Sequence, residues 1–224
     1  MQKYNKELNY LKPNHNSTKR NYLERMNNSK VDCMIEAKKY GKNYWDGNRK
    51  FGYGGYKYIP GRWDKIAKKI IKKFKLNNNS KILDVGCGKG YLLFEIKKLL
   101  PKARIVGFDS SKFAIKNSKK EIKKNIFLQK AENKYPFRRK YFDLALSFAC
   151  FHNLKINHLK CALIEITRVS KKTYIMVESY RNEKELFNLQ CWALTCQSFF
   201  SKDEWEWIFK EYSYKGNYEF IYFN

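Results

Sequence analysis

The chain has 224 residues, 43% hydrophobic and 17% aromatic, with a formal net charge of +26. That length suits one domain with a sizeable core, and no run of about 20 unbroken apolar residues offers a membrane span. Six cysteines without a Cys-x-x-Cys pair argue against a disulfide framework or a common zinc motif, so no metal is expected.

Residues 1 to about 17 are polar and read as an arm ordered only through contact. Their start, Met1 to Lys6, lacks the apolar core of a secretory signal, so a cytoplasmic location is expected. A helical pattern runs from Ser17-Thr18 through Tyr22, Leu23, Met26, Cys33, Met34, Ala37 and Tyr40. The stretch from Tyr44 to Trp63 then combines five glycines with closely spaced aromatic residues. Glycines give freedom and aromatics give flat contact area, so the stretch is expected to fold over a ligand as a lid. A static cover over a sheet edge, or a nucleobase-stacking surface, would use the same residues.

Asp64 is expected to cap a helix through Ile66, Ala67, Ile70, Ile71 and Phe74. Next come Ile82, Leu83 and Val85, the short apolar run of a strand buried on both faces. Gly86, Gly88 and Gly90 follow, and an apolar-periodic helix starts at Tyr91. Such a turn brings backbone and a helix N-terminus close to a ligand. A second strand, Ile105 to Phe108, ends in Asp109, whose carboxylate can accept both hydroxyls of a ribose. Asn125 to Glu132 and Phe142 to Phe148 read as the third strand with its loop and the fourth strand. Ala149 to Leu154 follow, and then a helix from Ile156 to Val169. Thr173 to Val177 is a fifth strand ending at Glu178-Ser179-Tyr180-Arg181. Ser201 and Glu204 form a capping box, and Asn217 to Phe223 is the last strand.

Asp84 to Gly90, Asp109, Ala131-Glu132 and the Phe142–Phe148 strand stand in the order found in class I S-adenosylmethionine-dependent methyltransferases, which the chain resembles between about Lys81 and Leu154. The resemblance implies an α/β, Rossmann-like fold: a mostly parallel twisted sheet with helices on both faces, preceded by an N-terminal helical and aromatic lid. Residues 1–63 would form the arm and lid, and 64–224 the cofactor domain. S-adenosylmethionine would be the cofactor, held by Asp84, Gly86, Cys87, Gly88, Gly90, Asp109, Ser110, Ala131, Glu132 and Ser147. His152, with a pKa near neutrality, is the expected base, with Glu178 and Tyr56 as further proton acceptors. Trp45, Asp46, Tyr53, Tyr58, Arg62, Trp63, Asn153, Tyr180 and Arg181 are the expected substrate contacts. The family usually closes its sheet with an antiparallel pair. Only one clear strand remains here, so Leu189 to Thr195 supplies the other or the sheet is shortened.

The Asn/Asp-Pro-Pro-Tyr/Phe motif of amino-methylating nucleic-acid enzymes is absent at Ser147 to Cys150. A small polar acceptor is therefore expected, such as a sugar, a nucleotide-linked compound or a surface-polysaccharide precursor. The alternatives are a tRNA or rRNA methyltransferase using the basic surface, and an inactive cofactor-binding module. The excess of lysine and asparagine over scarce arginine fits the codon usage of an AT-rich genome better than a dedicated phosphate-binding surface. A monomer or homodimer is expected.

Overall fold

The computed structural model describes residues 6–16, 18–53 and 57–224. Six strands form one sheet, β1 (Lys81–Val85), β2 (Arg104–Asp109), β3 (Ile126–Leu128), β4 (Phe142–Phe148), β5 (Ser170–Glu178) and β6 (Asn217–Ile221), in the spatial order β3-β2-β1-β4-β5-β6. Every pairing between them is parallel. The order reverses between β1 and β4, and at such a switch point the carboxyl ends of the strands open into a crevice.

Side-chain alternation along each strand feeds two cores. Ile82, Leu144, Leu146, Tyr174 and Met176 face one side of the sheet. Leu83, Val85, Ala145, Ile175 and Val177 face the other. Of the ten helices among the described residues, α5 (Asp64–Phe74), α6 (Tyr91–Leu99) and α9 (Glu183–Trp192) cover the first side, and α8 (Ile156–Val169) and α10 (Lys202–Glu211) the second. Leu83 and Val85 are fully buried, and each such side chain contributes about 1.5–3 kcal/mol. Ser201 and Glu204 form the expected capping box of α10. Asp64, expected as a cap, instead opens the first turn of α5 and pairs with Lys68 at 2.9 Å.

Leu189 to Thr195 contributes no strand. It is the last turn of α9 followed by a bend, and the N–H groups of Leu194 and Thr195 donate to Tyr53 Oη at 2.8 and 3.2 Å. The sheet is thus shortened, with β6 paired directly to β5. Its far edge is covered by the N-terminal arm, where Leu8 N–H donates to Tyr218 O at 2.7 Å in a parallel bridge. Glu219, on β6, accepts from the N–H groups of Tyr10, Leu11 and Lys12 at 3.0, 2.9 and 2.8 Å and from the Tyr174 hydroxyl. Those bonds hold the start of α1 (Lys12–Asn16) against the sheet, and Leu8 and Leu11 join the first core.

The rest of the N-terminal region folds as α2 (Tyr22–Asn27), α3 (Lys30–Ala37) and α4 (Lys42–Asp46). A break at Asn28-Ser29, where Ser29 takes φ 45°, divides the helical pattern read from the sequence. Cys33, Ala37, Tyr44 and Leu194 make a third small core with Tyr40, Trp45 and Tyr53 packed against it. No described helix is long and apolar enough to cross a membrane.

Candidate active site

The glycine loop lies between β1 and α6. Gly86 and Gly88 take φ of 76° and 55°, a left-handed conformation that side chains disfavour. A Cβ on Gly86 would lie 2.5 Å from Cys150 Sγ, and one on Gly88 2.7 Å from the Trp45 ring. Glycine is therefore required for both conformation and close approach. Asp109, at the tip of β2, accepts the Gly88 N–H at 2.9 Å and the Ser111 N–H at 2.8 Å, one on each oxygen. Each oxygen keeps lone-pair capacity for a ligand hydroxyl. Asp84 lies alongside, and burial together with the Asp109 carboxylate pushes its pKa up to about 7. Burial also raises Asp109, against the two backbone hydrogen bonds. Two buried acids side by side favour a cationic ligand, and a sulfonium or ammonium group meets that need.

The N-terminal region roofs this loop. Trp45 Nε1 donates to Ser111 Oγ at 2.8 Å and to Tyr40 O at 3.1 Å, and Ser111 Oγ donates to Tyr40 O at 2.6 Å. Asp46 pairs with the buried Lys89 at 2.5 Å, tying α4 to the glycine loop. Tyr40 (φ 47°) and Ala149 (φ 54°) are non-glycine residues in the left-handed region, one on the roof and one following β4. Such strain gathers at functional sites.

Beyond Ala149 opens a cleft of about 390 Å³ at the carboxyl edge of β4, β5 and β6. Ala149, Met176, Glu178 and Ile221 come from the sheet edge, His15 and Arg20 from the N-terminal segment, and Tyr53, Arg62, Trp63 and Trp192 from its walls. Glu178 is the one carboxylate among the described residues lining it. Its Oε2 is buried without a hydrogen-bond partner, and burial raises its pKa to about 7 against the pull of the Arg20 charge.

His152 sits behind Glu178, almost fully buried. Its Nδ1 accepts the Glu178 N–H at 3.0 Å, so the neutral ring carries its proton on Nε2, 3.5 Å from Glu178 Oε2. Burial pushes its pKa down to about 3. Both nitrogens of the expected base are thus committed, one as acceptor and one as proton carrier.

The other expected residues divide sharply. Trp45, Asp46, Gly86, Cys87, Gly88, Gly90 and Asp109 converge on the loop, with Asp84 beneath. Ser110 is exposed, and its neighbour Ser111 makes the contacts. Ser147 donates to Val85 O at 3.0 Å and ties β4 to β1. Ala131 accepts from Tyr135 Oη at 2.9 Å, and Glu132 is 3.8 Å from His158. Asn153 donates to Ala149 O at 3.0 Å and supports that turn from outside the cleft. Tyr180 is turned toward Glu204 and Arg181 onto Glu185 and the Tyr222 ring, so neither lines the cleft. Tyr58 donates to the buried Glu95 of α6 and does not line the cleft. Tyr56, with Gly54 and Gly55, lies outside the described residues. Tyr40, Lys89, Ser111, Arg20, Arg49 and Trp192 were not singled out from the sequence as site residues. The unusual arginine content of a lysine-rich N-terminal region was the one available signal.

A methyltransferase-domain profile matches residues 76–213, and a profile for protein-L-isoaspartate (D-aspartate) O-methyltransferase matches residues 11–132. The ribosomal RNA small subunit methyltransferase C of Buchnera aphidicola subsp. Schizaphis graminum is 35% identical over 109 residues, 47% of this chain and 31% of that protein. The malonyl-[acyl-carrier protein] O-methyltransferase of Bacillus anthracis is 25% identical over 148 residues, 60% of this chain and 55% of that protein. The chain thus spans about a third to a half of these relatives. Among solved structures, the plantazolicin methyltransferase BpumL has a TM-score of 0.54 at 20% identity, covering 81% of this chain and 76% of its own. YcgJ of Bacillus subtilis has a TM-score of 0.51 at 19% identity, covering 65% and 66%; likenesses this distant speak for the fold alone. With the family profile spanning more than half of the chain over a parallel sheet of this order, the chain belongs to the class I S-adenosylmethionine-dependent methyltransferases.

Proposed function

We propose that the chain methylates an oxygen or nitrogen of a small polar acceptor held in the cleft lined by Glu178, with that carboxylate taking the proton released. The observation that carries the reading is Glu178, which lines a cleft of about 390 Å³ and whose Oε2 is buried without a hydrogen-bond partner. That volume falls within the range of small-molecule sites. The loop from Gly86 to Gly90, Asp109 and the buried acid Asp84 would hold the cofactor, with Trp45 above. When bound, S-adenosylmethionine supplies a methyl carbon activated by a sulfonium, and displacement leaves the bonding pair on sulfur as a neutral thioether.

Glu178 is suited to proton transfer because its pKa of about 7 matches a neutral operating pH. His152 acts as a positioning residue, its Nε2–H facing the carboxylate that forms. Tyr53 fixes the far wall through the Leu194 and Thr195 amides.

An RNA acceptor is the second reading, favoured by the +26 charge and the stretch shared with a ribosomal RNA methyltransferase. Incubation with methyl-labelled cofactor and separate metabolite and RNA extracts distinguishes them. Label in the metabolite fraction, lost in Glu178→Gln, is the expected result. Label in RNA that survives Glu178→Gln would overturn the proposal, and absence of label from every fraction would favour a binding module.

A further inference from the structure

We infer that the acceptor carries an oxyanion, a carboxylate or a phosphate, on a flat ring, held by guanidinium groups around Trp192 at the end of the cleft away from the cofactor loop. The inference rests on the reading of this cleft as the acceptor site. Its first support is a concentration of arginine that composition does not explain. The chain has nine arginines against 38 lysines. Three of the nine surround one indole: the guanidinium carbons of Arg20, Arg25 and Arg49 lie 5.4, 4.8 and 5.4 Å from the Trp192 ring centroid. A fourth, Arg62, lines the same cleft. A lysine-biased genome would deliver lysines to such a surface. Guanidinium differs in being planar, in stacking on aromatic rings and in forking onto oxyanions.

The second support is how their donors are used. Arg25 is a structural clasp, with Nη1, Nη2 and Nε donating to Arg49 O, Gly52 O and Trp192 O at 2.7, 2.7 and 3.3 Å. Arg20 donates through Nη1 and Nη2 to the His15 and Thr18 carbonyls and through Nη2 to His15 Nδ1, while its Nε is buried without a hydrogen-bond partner. Arg49 is exposed, stacks on Trp192 and makes no side-chain hydrogen bond to a described residue. Burial lowers the Arg20 pKa, and the nearby Arg49 charge adds to that lowering. A second cleft, of about 350 Å³, adjoins the first through Arg20, Arg49 and Trp192 and adds Lys19 and Lys50. Among the described residues lining both clefts, the acids are Glu24 and Glu178. Like charges gathered without matching acids are relieved by an anion.

The third support is shape. Trp192, Phe223, Tyr53 and Trp63 give the cleft flat apolar walls, so a ring can lie between them with its oxyanion at the arginines and its protic atom toward Glu178.

The test uses the whole chain saturated with S-adenosylhomocysteine and ligand-observed NMR titration with benzoate, phenyl phosphate and benzamide. At least one anion should bind while the neutral amide does not at the same concentrations, and the tighter of the two anions identifies the group. Arg49→Ala should weaken that binding tenfold or more, and Arg49→Lys should recover part of it. Arg49 is exposed, so these variants should fold, and a circular dichroism melt checks that they do. Benzamide binding as well as the anions, or anion affinity unchanged in Arg49→Ala, overturns the inference. Failure of S-adenosylhomocysteine to bind would instead strike the methyl-donor reading, and the two failures are read in separate titrations.

Discussion

The glycine loop and the cleft lined by Glu178 meet at Cys150 and Ala149, but they draw on the chain differently. At the loop, the carboxylate of Asp109 binds Gly88 and Ser111, residues separated only by α6 and β2. At the cleft, Glu178 from β5, Arg20 from the N-terminal segment, Trp192 from α9 and Trp63 from the start of α5 face one another across more than 170 positions of sequence. The loop's geometry is set by backbone conformation and repeats wherever the same turn is made. The cleft depends on how a particular N-terminal region is fastened, and it can be recut without disturbing the loop.

Glu178→Gln should separate the two most strongly. Turnover should fall about 10²–10⁴-fold with S-adenosylhomocysteine affinity unchanged by calorimetry, since the loop is untouched. In the parent chain, kcat should rise with pH through about 7 as Glu178 ionises. The same substitution has the opposite effect on stability. A carboxyl with a folded pKa of about 7 and an unfolded value near 4.3 favours the fold fully below about pH 4, and that stabilisation is lost as the pH rises through 7. Urea melts should therefore show Glu178→Gln gaining about 2 kcal/mol on the parent chain between pH 5 and pH 8. No relative gain would mean that the carboxylate is solvated or paired.

The roof joins the two regions, and Asp46→Ala breaks that joint. Lys89 would be left buried without its partner, at a cost of about 2–3 kcal/mol, reduced because Asp46 is partly exposed. Equilibrium unfolding measures the loss. A change below about 0.5 kcal/mol would show that the pair is not formed in solution.

Asp109→Ala should act on the loop alone. S-adenosylmethionine and S-adenosylhomocysteine should each bind more weakly by about 1.5–3 kcal/mol, while the anion titration is unaltered. Equal weakening of cofactor and anion binding would show the regions to be coupled.

The smallest effect is expected at the cleft wall. Tyr53→Phe removes the oxygen that receives the Leu194 and Thr195 amides and should cost about 1 kcal/mol in stability. KM for the acceptor should rise and cofactor affinity should not. The reverse pattern would place Tyr53 functionally with the loop.

Local pattern was enough to read much of this protein from its sequence. The apolar runs of β1, β2 and β4, the glycine turn, Asp109 and helix α8 follow from short-range periodicity and from backbone conformations that few residues but glycine adopt readily. The closing strand pair was not legible, because the buried run from Leu189 to Thr195 suits a strand or a helix end equally. Only the Tyr53 hydroxyl, 141 residues away from Leu194, takes the amides a neighbouring strand would have bonded. The same holds for His152 and Glu178. The sequence brings both to the sheet edge, but the packing around them decides that the histidine is neutral and committed while one oxygen of the carboxyl is left buried without a hydrogen-bond partner. The arginines around Trp192 carry no periodic signal at all. Their convergence exists only once the N-terminal region is clasped against α9, because charge and stacking act through space and not along the chain.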